Sequence, residues 1–405
     1  MTAHRSSYIV KRNLNEGKLW QNKAPLLPKF DMELTERCNN NCIHCYINQA
    51  ENDTGIQEQE MSMVRVKAIL DQAEAEGCMT VRFTGGEPLL REDFADIYLY
   101  ARRLGIKVDL CTNATRITSD LAAMLKRYPP GEPLEITLYG TSEESYESVS
   151  RVKGSFDAAM KGIQRLENNR VPFAVKGIRL PGRDREMEKV RDFAEAHSVK
   201  GRISGFSMNF NLRARRDDPK KNQLIRKFRA TPEDTLKILT RDQESYINEK
   251  KQFVSRFMRP GGTDLFNCGC GNGGTVDAYG NLQPCLLLRH PDTVYDLEKG
   301  SIRDALENFF PQMRKTKAGN PEYLNRCARC FLHGLCEQCP AHSWLESGTL
   351  DTPVEYLCRV AHEQARFLGL IFAGENAWKV EDWKRRINRF VGDDIYKEPY
   401  EQEKQ

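Results

Sequence analysis

Residues 34–48 read LTERCNNNCIHCYIN. Cys38, Cys42 and Cys45 stand there at Cys-x3-Cys-x2-Cys spacing, in a stretch too short and too rich in Asn for a strand or a regular helix. Such a stretch predicts a loop wrapped around one point, which three thiolates need in order to meet a single metal cluster. A closed structural zinc or iron–sulfur site takes a fourth ligand, and the chain offers no further cysteine nearby. Three ligands to a four-iron cube leave one iron open to a cofactor or substrate. His44 puts a flat ring beside that position.

Around the loop the chain alternates between strand and helix patterns. Strands are expected at Phe30–Leu34, Thr80–Phe83, Lys107–Leu110, Glu135–Leu138, Phe173–Ile178 and Ile203–Asn209. Helices are expected near Met63–Glu76, Glu92–Leu104, Ser119–Arg127, Phe156–Asn168 and Asp184–His197, each with apolar residues three and four apart. This pattern predicts an α/β fold, a parallel sheet curled into a partial (β/α)6 barrel with its chemistry at the carboxyl ends of the strands. The cysteine loop directly follows the first of them. After the second come Thr84, Gly85, Gly86 and Glu87, where two glycines permit close backbone approach to a ligand and a carboxylate follows at the strand end.

The cysteine loop together with Gly85-Gly86-Glu87 resembles the signature of the radical S-adenosylmethionine (radical SAM) enzymes. The resemblance implies that the open iron of a [4Fe–4S] cluster on Cys38, Cys42 and Cys45 holds the amino and carboxylate groups of SAM. It also implies that the Thr84–Glu87 stretch contacts the methionine amino group and that His44 belongs to the cofactor site. Softer matches are Thr112-Asn113, similar to the family's TNG element with Ala114 in place of Gly, Thr137 where relatives often carry Ser, and Arg151 where relatives place an Arg near the cofactor carboxylate.

Residues 263–360 hold eight of the thirteen cysteines among many Gly, Asn and Pro, a composition that folds around metal more than around a core. Cys268, Cys270 and Cys285, then Cys327, Cys330, Cys336 and Cys339, then Cys358, resemble the SPASM extension of peptide-modifying radical SAM enzymes, which carries two auxiliary iron–sulfur clusters. One short gap departs from the family: Glu337 and Gln338 stand where three residues are usual. The family's pairing implies one cluster on Cys268, Cys270, Cys285 and Cys339 and another on Cys327, Cys330, Cys336 and Cys358, making three [4Fe–4S] clusters in all. The tight Cys268-Gly-Cys270 spacing leaves open whether both bind. Two zinc knuckles are the alternative metal reading. Cys78 and Cys111 read as small buried apolar residues.

Composition limits the alternatives. With 405 residues, net charge +4 and 29% charged residues, nothing calls for nucleic acid. No apolar run approaches ~18 residues, so no membrane span is expected. The first residues lack the apolar core of a signal peptide, which points to the cytoplasm, where thirteen cysteines indicate metal ligation rather than disulfides. The expected organisation is an N-terminal arm (1–28), the barrel (29–211), a charged helical linker (212–262), the SPASM region (263–360) and a helical tail (361–405).

Three functions compete. The resemblance favours hydrogen abstraction from a ribosomally made peptide to form a thioether or other side-chain cross-link, with electrons from flavodoxin or ferredoxin. Leu286 stands where the sulfatase-maturing relatives have Asp, against oxidation to formylglycine. Residues 1–28 are too short for a leader-binding domain of ~80 residues. A separate leader-recognition protein is therefore implied, or an acidic peptide docked on the eight Lys and Arg between Arg213 and Arg229. The second function is oxidation of a small molecule such as a tetrapyrrole, a sugar or an antibiotic precursor. The third is a non-catalytic iron–sulfur or zinc protein. No catalytic acid or base is singled out; Tyr139, Tyr279 and His290 are conceivable.

Overall fold

The computed structural model describes residues 27–197, 206–209, 212–214, 218–271, 273–393 and 395–396. Residues 1–26 of the expected arm, residues 203–205 of the sixth expected strand and residues 215–217 of the basic run lie outside them. Six parallel strands are present: β1 (Lys29–Thr35), β2 (Thr80–Gly85), β3 (Lys107–Thr112), β4 (Leu134–Leu138), β5 (Phe173–Ile178) and β6 (Phe206–Asn209). Three short strands extend the sheet: β7 (Thr275–Val276), β8 (Asn281–Gln283) and β9 (Tyr295–Asp296). The order is β9-β8-β7-β1-β2-β3-β4-β5-β6. Between the parallel strands run α1 (Met63–Ala75), α2 (Phe94–Arg103), α3 (Ser119–Arg127), α4 (Glu143–Ser150), α5 (Ser155–Asn168) and α6 (Asp184–His197), and α7 (Pro219–Lys227) follows β6.

Period-two alternation decides which strand face meets the helices. In β1, Phe30, Met32 and Leu34 are buried, each contributing about 1.5–3 kcal/mol. The alternate positions carry charge and pair across the sheet. Arg82 donates to Asp31 at 2.6 Å, Lys29 to Asp109 at 2.9 Å and Lys176 to Glu135 at 2.9 Å. This second face of the sheet is therefore polar. Cys111 lies on it, half-buried and 3.9 Å from Glu135, rather than in an apolar core.

The compact units differ from the expected organisation. One contains 1–229 and 269–313, the other 230–268 and 314–405. Residues 269–313 join the barrel because β7 pairs in parallel with β1, Asp31 opposite Thr275 and Met32 opposite Val276. The second unit has α8 (Pro232–Leu239), α9 (Gln243–Gln252), α10 (Pro340–Ser347), α11 (Glu355–Phe367) and α12 (Trp383–Val391). Its core joins Tyr246 and Met258 to Phe331, Leu335, Leu370 and Ile387, so the expected tail shares one core with the expected linker. No helix among the described residues is long and apolar enough to cross a membrane.

Candidate active site

The cysteine loop is closed at its base and docked along its length. Arg37 and Cys38 pair with Gln49 and Ala50 as a two-residue parallel ladder. Buried Arg37 donates to Glu60 at 2.8 and 3.1 Å and to the Glu51 carbonyl at 3.0 Å. The last carbonyls of α4 receive the loop: Asn41 N–H donates to Ser150 at 2.8 Å and Ile43 N–H to Val149 at 3.0 Å. Acceptors left free where a helix ends are thereby used to hold the loop.

Gly85 and Gly86 serve this docking. A Cβ on Gly85 would lie 2.2 Å from the Thr35 carbonyl oxygen, and one on Gly86 would lie 2.2 Å from that of Arg37. Their close approach is to backbone just before Cys38. Gly86 N–H donates to Thr35 at 2.7 Å and Glu87 N–H to Arg37 at 2.8 Å. Gly86→Ala is expected to push this backbone apart, costing about 1–3 kcal/mol and lowering iron retention by the loop. Thermal melts and iron assays check this, and an unchanged melting point with full iron would contradict it.

Glu87 is fully buried and fastens β2 to β3. It accepts from Thr112 Oγ1 at 2.8 Å, Asn113 N–H at 2.7 Å and Leu89 N–H at 3.1 Å. Burial pushes its carboxyl up to about 7 despite these donors. Asn113 reaches the loop itself, with Nδ2 donating to Asn39 Oδ1 at 2.9 Å and standing 3.8 Å from Cys38 Sγ. Ala114 holds the left-handed conformation (φ 63°) that the glycine of the expected element would favour.

Tyr139, at the end of β4, stands 3.1 Å from Cys42 Sγ by its hydroxyl, and its ring meets His44 edge-on at 5.4 Å. Burial lowers the His44 imidazole to about 4, so the ring is neutral. Thr84 and Thr137 are half-buried, and Thr84 lies opposite Glu33 in register. Arg151 is exposed, in the left-handed conformation just past α4. The basic segment also reaches this region. The Arg213 guanidinium lies 5.5 Å from the centre of the Tyr46 ring, and Lys221 donates to Asn48.

Sequence reasoning missed a network beside the loop. Arg289 pairs with fully buried Glu33 at 2.7 Å and with Glu36, which also accepts from Tyr279 at 2.8 Å. The partners of Arg289 are more than 250 positions away, beyond any local pattern.

The Radical SAM superfamily profile matches residues 32–196, the segment that carries the loop, Glu87, Asn113 and Tyr139. This chain is a radical SAM enzyme. It is 25% identical over 387 residues to the AdoMet-dependent heme synthase of Oleidesulfovibrio alaskensis, across 86% of this chain and 90% of that one. Over 136 residues it is 35% identical to the mycofactocin maturase MftC of Mycolicibacterium smegmatis, across 34% of this chain and 33% of that one. Its fold matches native anSMEcpe with bound AdoMet and Cp18Cys peptide, with TM-score 0.56, 16% identity and coverage of 91% of this chain and 100% of that one.

Radical SAM enzymes use SAM and a [4Fe–4S] cluster, and the donor set of the loop fits both. It presents three thiols, and Asn40 N–H lies 3.4 Å from Cys38 Sγ. Beside them, both side-chain polar atoms of Asn40 and His44 Nδ1 are buried without partners. Polar atoms so placed suit a polar ligand. Burial pushes the Cys38 and Cys42 thiols upward, so metal loading must displace their protons.

A second thiol site of this radical SAM enzyme lies within the second unit. Cys327, Cys330, Cys336 and Cys358 line one cavity with Arg326, His333, His362 and Trp378. No group of three or more His, Cys, Asp and Glu among the described residues is arranged to hold a single metal ion. Of the other expected set, Cys270 and Cys285 belong to the barrel unit and Cys268 and Cys339 to the second. Within the barrel unit, Gly271 N–H donates to the Pro284 carbonyl at 3.1 Å, joining the backbone beside Cys270 to that beside Cys285.

Proposed function

We propose that the protein is a cytoplasmic SPASM-type radical SAM enzyme that abstracts hydrogen from a ribosomally made peptide and forms a thioether or other side-chain cross-link. The observation that carries the SPASM reading is the four-thiol cavity of the second unit, which supplements the cluster loop. When bound, SAM and the loop's cluster, fed by a donor such as flavodoxin or ferredoxin, supply a hydrogen-abstracting 5′-deoxyadenosyl radical. Cys38, Cys42 and Cys45 hold that cluster, with Asn113 and Tyr139 fixing the loop from the ends of β3 and β4. Thr84, Gly85, Gly86, Glu87, Thr137, Arg151 and His44 form the surroundings of SAM. Cys327, Cys330, Cys336 and Cys358 hold one auxiliary cluster, and Cys268, Cys270, Cys285 and Cys339 supply the ligands of another.

The sheet supports a peptide substrate. Among the described residues β6 pairs on one side only, with β5. Such an edge is where an extended chain can enter and hydrogen-bond. A separate protein would then present the leader. A tetrapyrrole substrate is the second reading. It is favoured by the likeness to a heme synthase over most of both chains and by Arg213 and Lys221 beside the loop, which suit substrate carboxylates.

Reconstituted protein, reduced anaerobically with SAM, should be offered a short precursor peptide encoded beside its gene and, separately, a carboxylate-bearing tetrapyrrole. A peptide two hydrogens lighter, formed with 5′-deoxyadenosine, is expected. Turnover of the tetrapyrrole alone would overturn the peptide reading.

A further inference from the structure

Arg326 directly precedes Cys327, yet its guanidinium addresses a different cysteine. Nη2 donates to Cys358 Sγ at 3.4 Å and to Glu355 Oε2 at 2.8 Å, while Nη1 donates to Glu322 Oε1 at 2.6 Å. The guanidinium carbon lies 4.8 Å from the centre of the Trp378 ring, and the side chain is only 21% exposed. Its position is therefore fixed by three acceptors and an aromatic face.

His362 approaches the same cysteine from the next turn of α11. Its Nε2 accepts from Ala377 N–H at 3.3 Å, which leaves the proton on Nδ1. Nδ1 then donates to the Cys358 carbonyl at 2.8 Å and stands 3.6 Å from Cys358 Sγ. Cys358 also occupies the first turns of this thirteen-residue helix, whose amino end carries partial positive charge. Cys330 and Cys336 pack instead against the apolar core. Cys330 and Cys336 also take the backbone N–H groups of Leu332 and Gln338, whereas Cys358 is met by a side-chain cation, Arg326, and by His362.

We propose that Arg326, assisted by His362, sets the reduction potential of the iron–sulfur cluster held by Cys327, Cys330, Cys336 and Cys358. The proposal rests on the assignment of a cluster to these residues. Reduction adds one negative charge to the cluster and its thiolates. Donors to a ligand sulfur and a nearby cation stabilise that charge and raise the potential. Glu322 and Glu355, 54% and 64% exposed, offset part of the guanidinium charge from the solvent side. Arg326 is a positioning and tuning residue, since it touches a ligand sulfur and no substrate. Removing its charge and removing that of Glu355 should act in opposite directions.

The test uses the full chain with Cys38, Cys42, Cys45, Cys268, Cys270, Cys285 and Cys339 replaced by alanine, so that neither the loop's cluster nor the other auxiliary cluster contributes. Redox titration followed by electron paramagnetic resonance gives the midpoint of what remains. Arg326→Gln is expected to lower the reduced-to-oxidised ratio at fixed potential about tenfold, or about 59 mV for one electron. Glu355→Gln should move the midpoint upward. A structural clamp would leave both midpoints unchanged with the cluster present, and that result overturns the proposal. If Arg326→Gln fails to retain its cluster, the exposed Glu355→Gln change decides alone: an upward shift supports the proposal and an unchanged midpoint rejects it. Iron content unaffected by further replacing Cys327, Cys330, Cys336 and Cys358 would overturn the cluster assignment and the proposal with it.

Discussion

Cys42→Ala is expected to lower the iron of fully reconstituted protein from about twelve to about eight per chain, for clusters of four irons each, and to abolish 5′-deoxyadenosine formation. Cys42 is the middle ligand of the loop and is buried, its sulfur 3.1 Å from the Tyr139 hydroxyl. Losing one small buried sulfur costs about 1 kcal/mol, so the chain should still fold and melt near the parent. Chemistry and stability therefore separate. Tyr139→Phe keeps the ring against His44 and removes only the hydroxyl, so it should retain its iron. Iron, sulfide and product assays check both variants. SAM cleavage surviving in Cys42→Ala would remove the loop from the mechanism.

Arg289→Ala is expected to be among the most destabilising single changes in the barrel unit, at about 3–5 kcal/mol. Glu33 has no exposed surface, and its Oε1 lacks a partner even with Arg289 in place. Without the guanidinium, Glu33 would face Glu36 with no cation between them, and only Glu36 would keep a partner, the Tyr279 hydroxyl. A fall in Tm of roughly 10 °C is the measurable form. Adding Glu33→Gln should recover part of it, because the pair is coupled. A Tm within a degree or two of the parent would show that the pair carries no such weight.

Glu33 also ties stability to pH. Burial outweighs Arg289 and pushes its carboxyl up to about 7, from an ordinary value of 4.5. A group raised in the folded state contributes fully below the unfolded value, and that contribution is lost as pH rises through the folded one. Stability from this residue should decline between pH 4.5 and about 7. Glu33→Gln should flatten that part of the pH profile.

The sequence made β1 to β5 legible because each has enough alternating positions to show a period, and they begin within a residue of expectation. The cysteine loop was legible from spacing alone. The strands β7 and β9 have two residues each, too few for any period, so their addition to the sheet beyond β1 left no trace. Glu143–Ser150 forms a helix whose last carbonyls hold the loop, a role that neither its composition nor its place in the chain announces. For Gly85, Gly86 and Glu87 the residues were found but not their contacts. Their neighbours are backbone at Thr35–Arg37 and the start of the Asn113 turn, which only the folded sheet brings near. Nothing local marks Arg326 in the sequence, since its sulfur partner lies 32 residues onward.

The second unit is made from two separated pieces of chain, 230–268 and 314–405, with barrel residues between them. A ribosome releases α8 and α9 well before the segment that completes their core. Tyr246, Val254 and Met258 must therefore wait, apolar and uncovered, until Leu370, Ile371 and Ile387 emerge. Vectorial synthesis exposes such surfaces to aggregation and to chaperones. Shortening the chain from its carboxyl end should consequently harm yield more than its distance from the cysteine loop suggests. Slowing translation across residues 269–313 would lengthen that exposure.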